Sequence, residues 1–233
     1  MKLRIVGTGP LREQAARLAA AAGYEIVPEG GDAVLPATED DEVLSRLAGE
    51  RVLFDPAAWS VASHRLKTDE LLRERGIPAP EYFPGGSEPY LVKPDRGSFG
   101  QGIWVTDDYC EVGGAVNAGF VTQEELHGDV WSAAVAGVPG DYRVYAPARL
   151  TFDDRRRRTA AVIEPAPDAA GLEDTARAAA EALGIRGVLE VEAIHHLGVW
   201  KVIDLNARLP MLTSDALLEQ GVNLLEELVR IYT

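Results

Sequence analysis

Two stretches of this sequence carry side chains whose types and spacing could do chemistry. The first is Lys93-Pro94-Asp95-Arg96-Gly97-Ser98-Phe99-Gly100-Gln101-Gly102. A lysine followed by three glycines and a serine can wrap phosphate oxygens with backbone amides, while the lysine adds a point charge. The spacing is not that of a Walker A loop, so a P-loop NTPase is excluded. Without a phosphate ligand the same stretch would be a flexible hairpin tip. The second stretch sets Glu190-Val191-Glu192 against Asp204-Leu205-Asn206-Ala207-Arg208-Leu209-Pro210. Residues two apart on a strand share a face, so Glu190 and Glu192 point one way, as do Asp204 and Asn206. If the two strands pair, up to four oxygen-bearing side chains converge, a hard donor set that suits magnesium. Arg208 follows at once and could clamp a phosphate or a carboxylate. The plainer alternative is the wet face of a sheet. The apolar neighbours Val191, Ile203 and Leu205 weaken it, because carboxylates clustered on a half-buried sheet repel unless a cation sits among them.

Other candidates carry less. Gly7-Thr8-Gly9 follows an apolar run, but Arg12 stands where a dinucleotide fingerprint has its third glycine, so a tight strand-to-helix turn is the better reading. His195-His196 has no third nitrogen or sulfur ligand nearby and reads as a surface hairpin; His64 and His127 read as solvated. The run Arg155–Arg158 could suggest nucleic acid. In a chain of net charge −14 it reads instead as a solvated loop, and that charge argues against non-specific binding to nucleic acid or anionic lipid.

Elements to hold these groups can be traced along the chain. Leu3–Val6, Tyr24–Val27, Ala33–Leu35 and Arg51–Phe54 read as strands, with helices at Leu11–Ala22 and Glu42–Leu47 between them; the alternation predicts a parallel α/β sheet in residues 1–56. Across 57–123, Ser63 is placed to cap a helix reaching Arg75, and Tyr90–Lys93 and Ile103–Val105 form a hairpin around the glycine loop. Across 124–233, Val130–Val135 and Tyr142–Ala146 read as strands and Leu172–Leu183 as a helix stopped by Gly184. Val188–Ile194 and Trp200–Leu205 then form an antiparallel pair turning at Leu197-Gly198, and Leu224–Tyr232 is a closing helix. Gln123-Glu124-Glu125-Leu126-His127-Gly128-Asp129 reads as a polar connection. The single cysteine, Cys110, excludes an internal disulfide, and no apolar stretch approaches 18 residues; a cytoplasmic protein without membrane contact is expected.

In this order the motifs resemble the ATP-grasp superfamily of carboxylate–amine ligases over essentially the whole chain, and within it the branch that joins 3-methylornithine to lysine in pyrrolysine biosynthesis. The matching stretches include Ser63–Lys67, Gly76–Pro80, the Tyr90–Pro94 strand with its glycine loop, Val121–Ser132, Val191–Ile194, Val202–Pro210 and Gly221–Glu226. The resemblance implies two α+β lobes sandwiching ATP, behind a reduced N-terminal α/β domain. It implies that Lys93, Arg65 and Lys67 face the phosphates and that the loop bearing Ser98 and Gly100 covers them. Gln123, Glu124, Glu125 and Leu126 would hold adenine, and Asp129 the ribose. Glu192, Asp204 and Asn206 match the magnesium ligands, and Arg208 the arginine facing the reacting phosphate. ATP and Mg2+ are the implied cofactors and small amino acids the partners; the oligomeric state stays open, with a homodimer among the options. The chain departs from the family pattern at His64-Arg65, Gln123 and Asp204. Glu190, beside the metal set, is the expected ligand for the ammonium group of a diamino acid such as lysine or an ornithine derivative. A different amino acid or peptide substrate, a nucleotide-binding module without turnover and an NAD(P) oxidoreductase are the alternatives.

Overall fold

The computed structural model describes residues 1–83, 85, 88–97, 101–153 and 158–233. Its opening strand, β1 (Lys2–Gly7), runs into helix α1 (Gly9–Ala21) through a turn at Gly7. Gly7 has φ +140°, and a Cβ there would lie 2.1 Å from the Ala37 carbonyl oxygen. Only glycine fits so close a backbone approach. The Gly7-Thr8-Gly9 segment is therefore a packing turn. β2 (Glu25–Ile26) and β3 (Ala33–Ala37) both pair with β1 in parallel, as the alternation predicts. The expected fourth strand at Arg51–Phe54 is reduced to an isolated bridge between Val34 and Val52. A short α2 (Asp41–Ser45) lies between.

The helix expected to start at Ser63 is two helices, α3 (Pro56–Ala62) and α4 (Arg65–Glu74), and Ser63 ends the first. The cap of α4 is taken by a distant group. Asp95 accepts from the Leu66 amide at 2.9 Å and contacts His64 Nδ1 at 2.7 Å. A carboxylate at a helix N-terminus meets both the orphan amides and the dipole, so it outcompetes a serine hydroxyl. Asp95 follows strand β4 (Tyr90–Pro94), which lies centrally in a small antiparallel sheet between β5 (Trp104–Thr106) and β6 (Phe120–Glu124), with α5 (Tyr109–Asn117) connecting them. Residues expected to be a polar connection thus begin as strand: Gln123 and Glu124 are buried in β6.

The large sheet contains β7 (Val130–Val138), β8 (Asp141–Val144), β9 (Ala148–Phe152), β10 (Arg158–Ile163), β11 (Gly187–His196) and β12 (Val199–Asn206), with β11 between β7 and β12. Helix α6 (Ala169–Leu183) ends at Gly184 in the left-handed conformation, as the sequence predicts. α7 (Met211–Glu219) and α8 (Leu224–Tyr232) complete the chain. Strand alternation explains the site. Leu189, Val191 and Ala193 face one way, into a core with Ala176, Ala179 and Ala180 of α6. Val188 faces the other way, into a core with Leu217 of α7, Leu228 of α8 and Leu18 of α1. That cover ends after Val188. The next residues on its face, Glu190, Glu192 and Ile194, line an open cleft.

Candidate active site

The cleft has a volume of about 350 Å³ and lies between the small and large sheets. One part is apolar, with Leu91, Ile103, Leu126 and Ile203 on its walls; Lys93, Glu190, Glu192, Asp204, Asn206 and Arg208 bring charge and hydrogen-bonding groups to the same space. A second cavity, of about 320 Å³, adjoins it across Asp204, Asn206, Arg65 and Gly97, and is walled by Glu39, Asp41 and Trp59 of the N-terminal region.

The β11–β12 register sets Glu190 opposite Asn206 and Glu192 opposite Asp204. The convergence read from the sequence is therefore present. A register shift follows Glu192, where Ala193 pairs with Val202 and leaves Ile203 as the extra residue. A bulge takes its extra residue out of the ladder. Here the Ile203 carbonyl receives the Lys93 ammonium at 3.1 Å. Lys93 is only 4% exposed. Burial above all lowers its pKa, opposed by the nearby Asp69 carboxylate.

Glu190 and Glu192 are 1% and 3% exposed. Glu190 Oε1 accepts from Ser132 Oγ at 2.8 Å and from Thr213 Oγ1 at 3.1 Å. Its Oε2 accepts from Asn206 Nδ2 at 3.3 Å. Burial pushes the Glu192 carboxyl up to about 8, helped by the Glu190 and Asp204 charges and opposed by Arg158. Arg158 corrects the sequence reading. Three arginines of its run, 155–157, lie outside the described residues, but Arg158 belongs to β10 and enters the cleft. It pairs with Glu192 and approaches Glu190 at 3.4 Å and Asp204 at 3.8 Å. A guanidinium here compensates charge that would otherwise be buried unpaired, which outweighs the hydration it loses. Arg208 donates from Nε to Glu39 Oε1 at 2.8 Å and from Nη2 to Asn206 Oδ1 at 3.4 Å, which ties the N-terminal region to the site.

Other predicted residues are placed unevenly. Arg65 lines the cleft and donates to the Pro94 and Gly97 carbonyls at 2.6 and 2.7 Å. Lys67 is exposed and donates instead to the Ser60 carbonyl at 3.1 Å. Gln123, Glu125 and Leu126 line the cleft, whereas the Glu124 carboxylate pairs with Lys201. Asp129 is exposed. Ser98 and Gly100 lie outside the described residues. The His195 ring packs at a tilt of 44° against Trp200 with ring centroids 4.9 Å apart, in keeping with a structural role. Sequence reasoning missed Ser132, Thr213, Glu39 and Arg158. Ser132 and Thr213 gave no signal, and the charge of Arg158 pointed outward by composition.

The residues present fit a nucleotide and a hard cation. The Gln123 side-chain oxygen is buried in the cleft wall and has no hydrogen-bond partner among the described residues, as an acceptor awaiting an amine would be. Glu192 and Asp204 bring the hard oxygen donors that magnesium prefers, while Asn206 turns its amide nitrogen to Glu190 at 3.3 Å and Glu192 at 3.2 Å and its oxygen to Arg208.

Residues 62–211 match the ATP-grasp domain family. The chain belongs to the ATP-grasp family. It is 31% identical over 208 residues to a 3-methyl-D-ornithine–L-lysine ligase of Methanosarcina acetivorans, and 29% identical to that of Methanosarcina mazei. Each alignment covers 86% of this chain but only 56% and 55% of the relative, so the chain spans about half the length of these curated relatives. The ATP-grasp fold is seen again in the biotin carboxylase of Campylobacter jejuni, at TM-score 0.80 and 14% identity, covering 99% of this chain and 70% of that one. The D-alanine–D-alanine ligase of Bacillus anthracis superposes at TM-score 0.75 and 15% identity, covering 100% of this chain and 97% of its own. No helix among the described residues is long and apolar enough to cross a membrane.

Proposed function

We propose that this ATP-grasp chain is an ADP-forming carboxylate–amine ligase. The observation that carries the reading is the meeting of Lys93 of the small sheet with Glu192, Asp204 and Asn206 of the large sheet, and with Arg208 just beyond β12, around one cleft that also has an apolar part. Leu91, Ile103, Leu126 and Ile203 would hold adenine, with the Gln123 oxygen as an acceptor for its amine and the backbone of 124–126 available to its edge. Magnesium held by Glu192, Asp204 and Asn206 would screen the phosphate charge. A substrate carboxylate oxygen attacks the γ-phosphorus as the bond to the ADP oxygen breaks. Lys93, Arg65 and Arg208 offset the charge spread over the transferring oxygens, where most catalysis of phosphoryl transfer arises. An amine nitrogen then attacks the acyl carbon, phosphate leaves with its bonding pair, and the amine proton passes to solvent. Glu39 and Asn206, the partners of Arg208, wall the second cavity, which is the natural place for the acceptor.

For substrates we infer amino acids, at least one with a second amine, as in the ligases of Methanosarcina; this keeps the expected pyrrolysine branch. Glu190 supports that reading less directly than its charge alone implies, because Ser132, Thr213 and Asn206 already occupy its oxygens. The acidic-substrate alternative gains nothing from Arg158, which faces carboxylates of the chain itself. The test is ADP release with Mg2+ across pairs of amino acids, with mass spectrometry of the product. Turnover is expected with lysine, ornithine or their methylated derivatives; turnover only with glutamate or aspartate would reject the diamine reading.

A further inference from the structure

Arg158 has no part in the reaction proposed above, yet it stands at its centre. It enters from β10 at a register shift between Arg158 and Ala160. Its Nη2 pairs with Glu192 Oε1 and lies 3.8 Å from Asp204 Oδ2, while Nη1 lies 3.4 Å from Glu190 Oε2. Its side chain is only 20% exposed. Two of its three partners are the carboxylates read as magnesium ligands.

We propose that Arg158 is a resident counter-ion of this site, that it and a divalent cation occupy Glu192 and Asp204 in alternation, and that Arg158 thereby sets the cation affinity. The inference rests on reading Glu192 and Asp204 as metal ligands. Its logic is charge and space. Glu190, Glu192 and Asp204 bring three carboxylates to one end of the cleft. Left alone, they would repel one another and take up protons or drive the strands apart. A planar guanidinium reaches all three through its fork of N–H donors and keeps the site assembled. It offers one diffuse charge, however, and stands 3.4 Å from Glu190 and 3.8 Å from Asp204 while it pairs with Glu192. A divalent ion offers two and closes on carboxylate oxygens at about 2.0–2.1 Å when it is magnesium. The cation is therefore the stronger partner, but it cannot enter while the guanidinium stands on Glu192. The side chains agree with exclusion: no three Asp, Glu, His or Cys groups among the described residues converge on a point that could hold an ion. The acids are instead arranged around Arg158. The long arginine side chain can swing out when a cation arrives, so part of the cation's binding energy goes into displacing it.

The test is a titration with Mn2+ alone, reading free Mn2+ by EPR, with thermal melts in parallel. Arg158→Met is expected to bind Mn2+ at least about tenfold more tightly than wild type, a change worth about 1.4 kcal/mol. Its metal-free melting temperature should fall, and Mn2+ should raise it by more than it raises that of wild type. Arg158→Gln keeps a donor for Glu192 and guards against failure of the methionine variant to fold; the same tightening is expected. Arg149→Met is the control, because Arg149 sits on the neighbouring strand and pairs with Glu164 outside the site; it should leave Mn2+ affinity unchanged. If Glu192→Gln abolishes Mn2+ binding while both Arg158 variants bind as weakly as wild type, the counter-ion proposal is overturned and the metal reading stands. If Mn2+ binds none of these proteins, or binds Glu192→Gln as well as wild type, both are overturned.

Discussion

Replacing Lys93 with methionine separates what the residue does for catalysis from what it does for the fold. Lys93 is buried, and its ammonium donates to the Ile203 carbonyl at 3.1 Å. Methionine nearly matches its volume. The change strands the carbonyl, at a cost of about 1–3 kcal/mol. It also removes an ammonium whose charge burial disfavours, a relief of roughly the same size once its neighbours relax. Asp69, the carboxylate facing Lys93, already has its pKa raised by burial and can take up a proton when the cation is gone. The net change in stability is therefore expected to stay within about 2 kcal/mol, roughly 4–8 °C in melting temperature for a chain of this size. Catalysis has no such compensation. Loss of one preorganised cation on the transferring phosphoryl group should lower ADP formation by about a hundredfold or more, near 2.7 kcal/mol of transition-state stabilisation. Coupled ADP assays and thermal melts on the same preparation read both quantities. A variant that turns over normally, or one that unfolds while wild type stays folded, would refute the reasoning.

Glu192→Gln and Asp204→Asn should each abolish Mg2+-dependent ADP formation; full activity at low Mg2+ in either would show the ligand set to be wrong. Because burial raises the Glu192 carboxyl to about 8 from an ordinary value near 4.5, protons and cation compete for it. Its charged form grows as pH rises, so Mn2+ affinity should climb by up to about tenfold per pH unit from about pH 6 to about pH 8 and then level; a flat profile there would count against the buried acid as ligand. Gln123→Leu removes the unpartnered oxygen and should raise the Michaelis constant for ATP several-fold while narrowing the preference for ATP over GTP; an unchanged preference would displace the amine contact. Asp95→Ala removes the cap of α4 and the His64 contact, and should cost about 1–2 kcal/mol in denaturant unfolding; a loss below a few tenths would refute the capping account.

Much of the fold was legible because it rests on short-range rules. The Gly184 stop, the Leu197-Gly198 hairpin and the closing helix Leu224–Tyr232 follow from turn chemistry and periodicity, and the shared face of Glu190 with Glu192 and of Asp204 with Asn206 follows from a period of two, whereas setting the two pairs opposite one another takes the register shift after Glu192. The misses share a cause. Asp95 caps a helix that begins 30 residues earlier in the chain, and no local pattern announces a partner so distant. Strands β9 and β10 flank an arginine run whose composition speaks for water, and only the buried carboxylates of another strand pair draw Arg158 inward. The Ile203 carbonyl became a Lys93 ligand through a register shift that the alternating pattern conceals. Ser132 and Thr213, the hydroxyls that hold Glu190, are ordinary residues until the large sheet and α7 bring them together at 2.9 Å.

The central claim is that this chain transfers phosphate to a carboxylate. Hydroxylamine intercepts an acyl phosphate before the amine does, so the decisive measurement is hydroxamate formation from an amino acid, ATP and Mg2+. The account predicts a hydroxamate in step with ADP, and its loss in Lys93→Met. AMP and pyrophosphate in place of ADP, or ADP released with no hydroxamate at any amino acid tried, would contradict it.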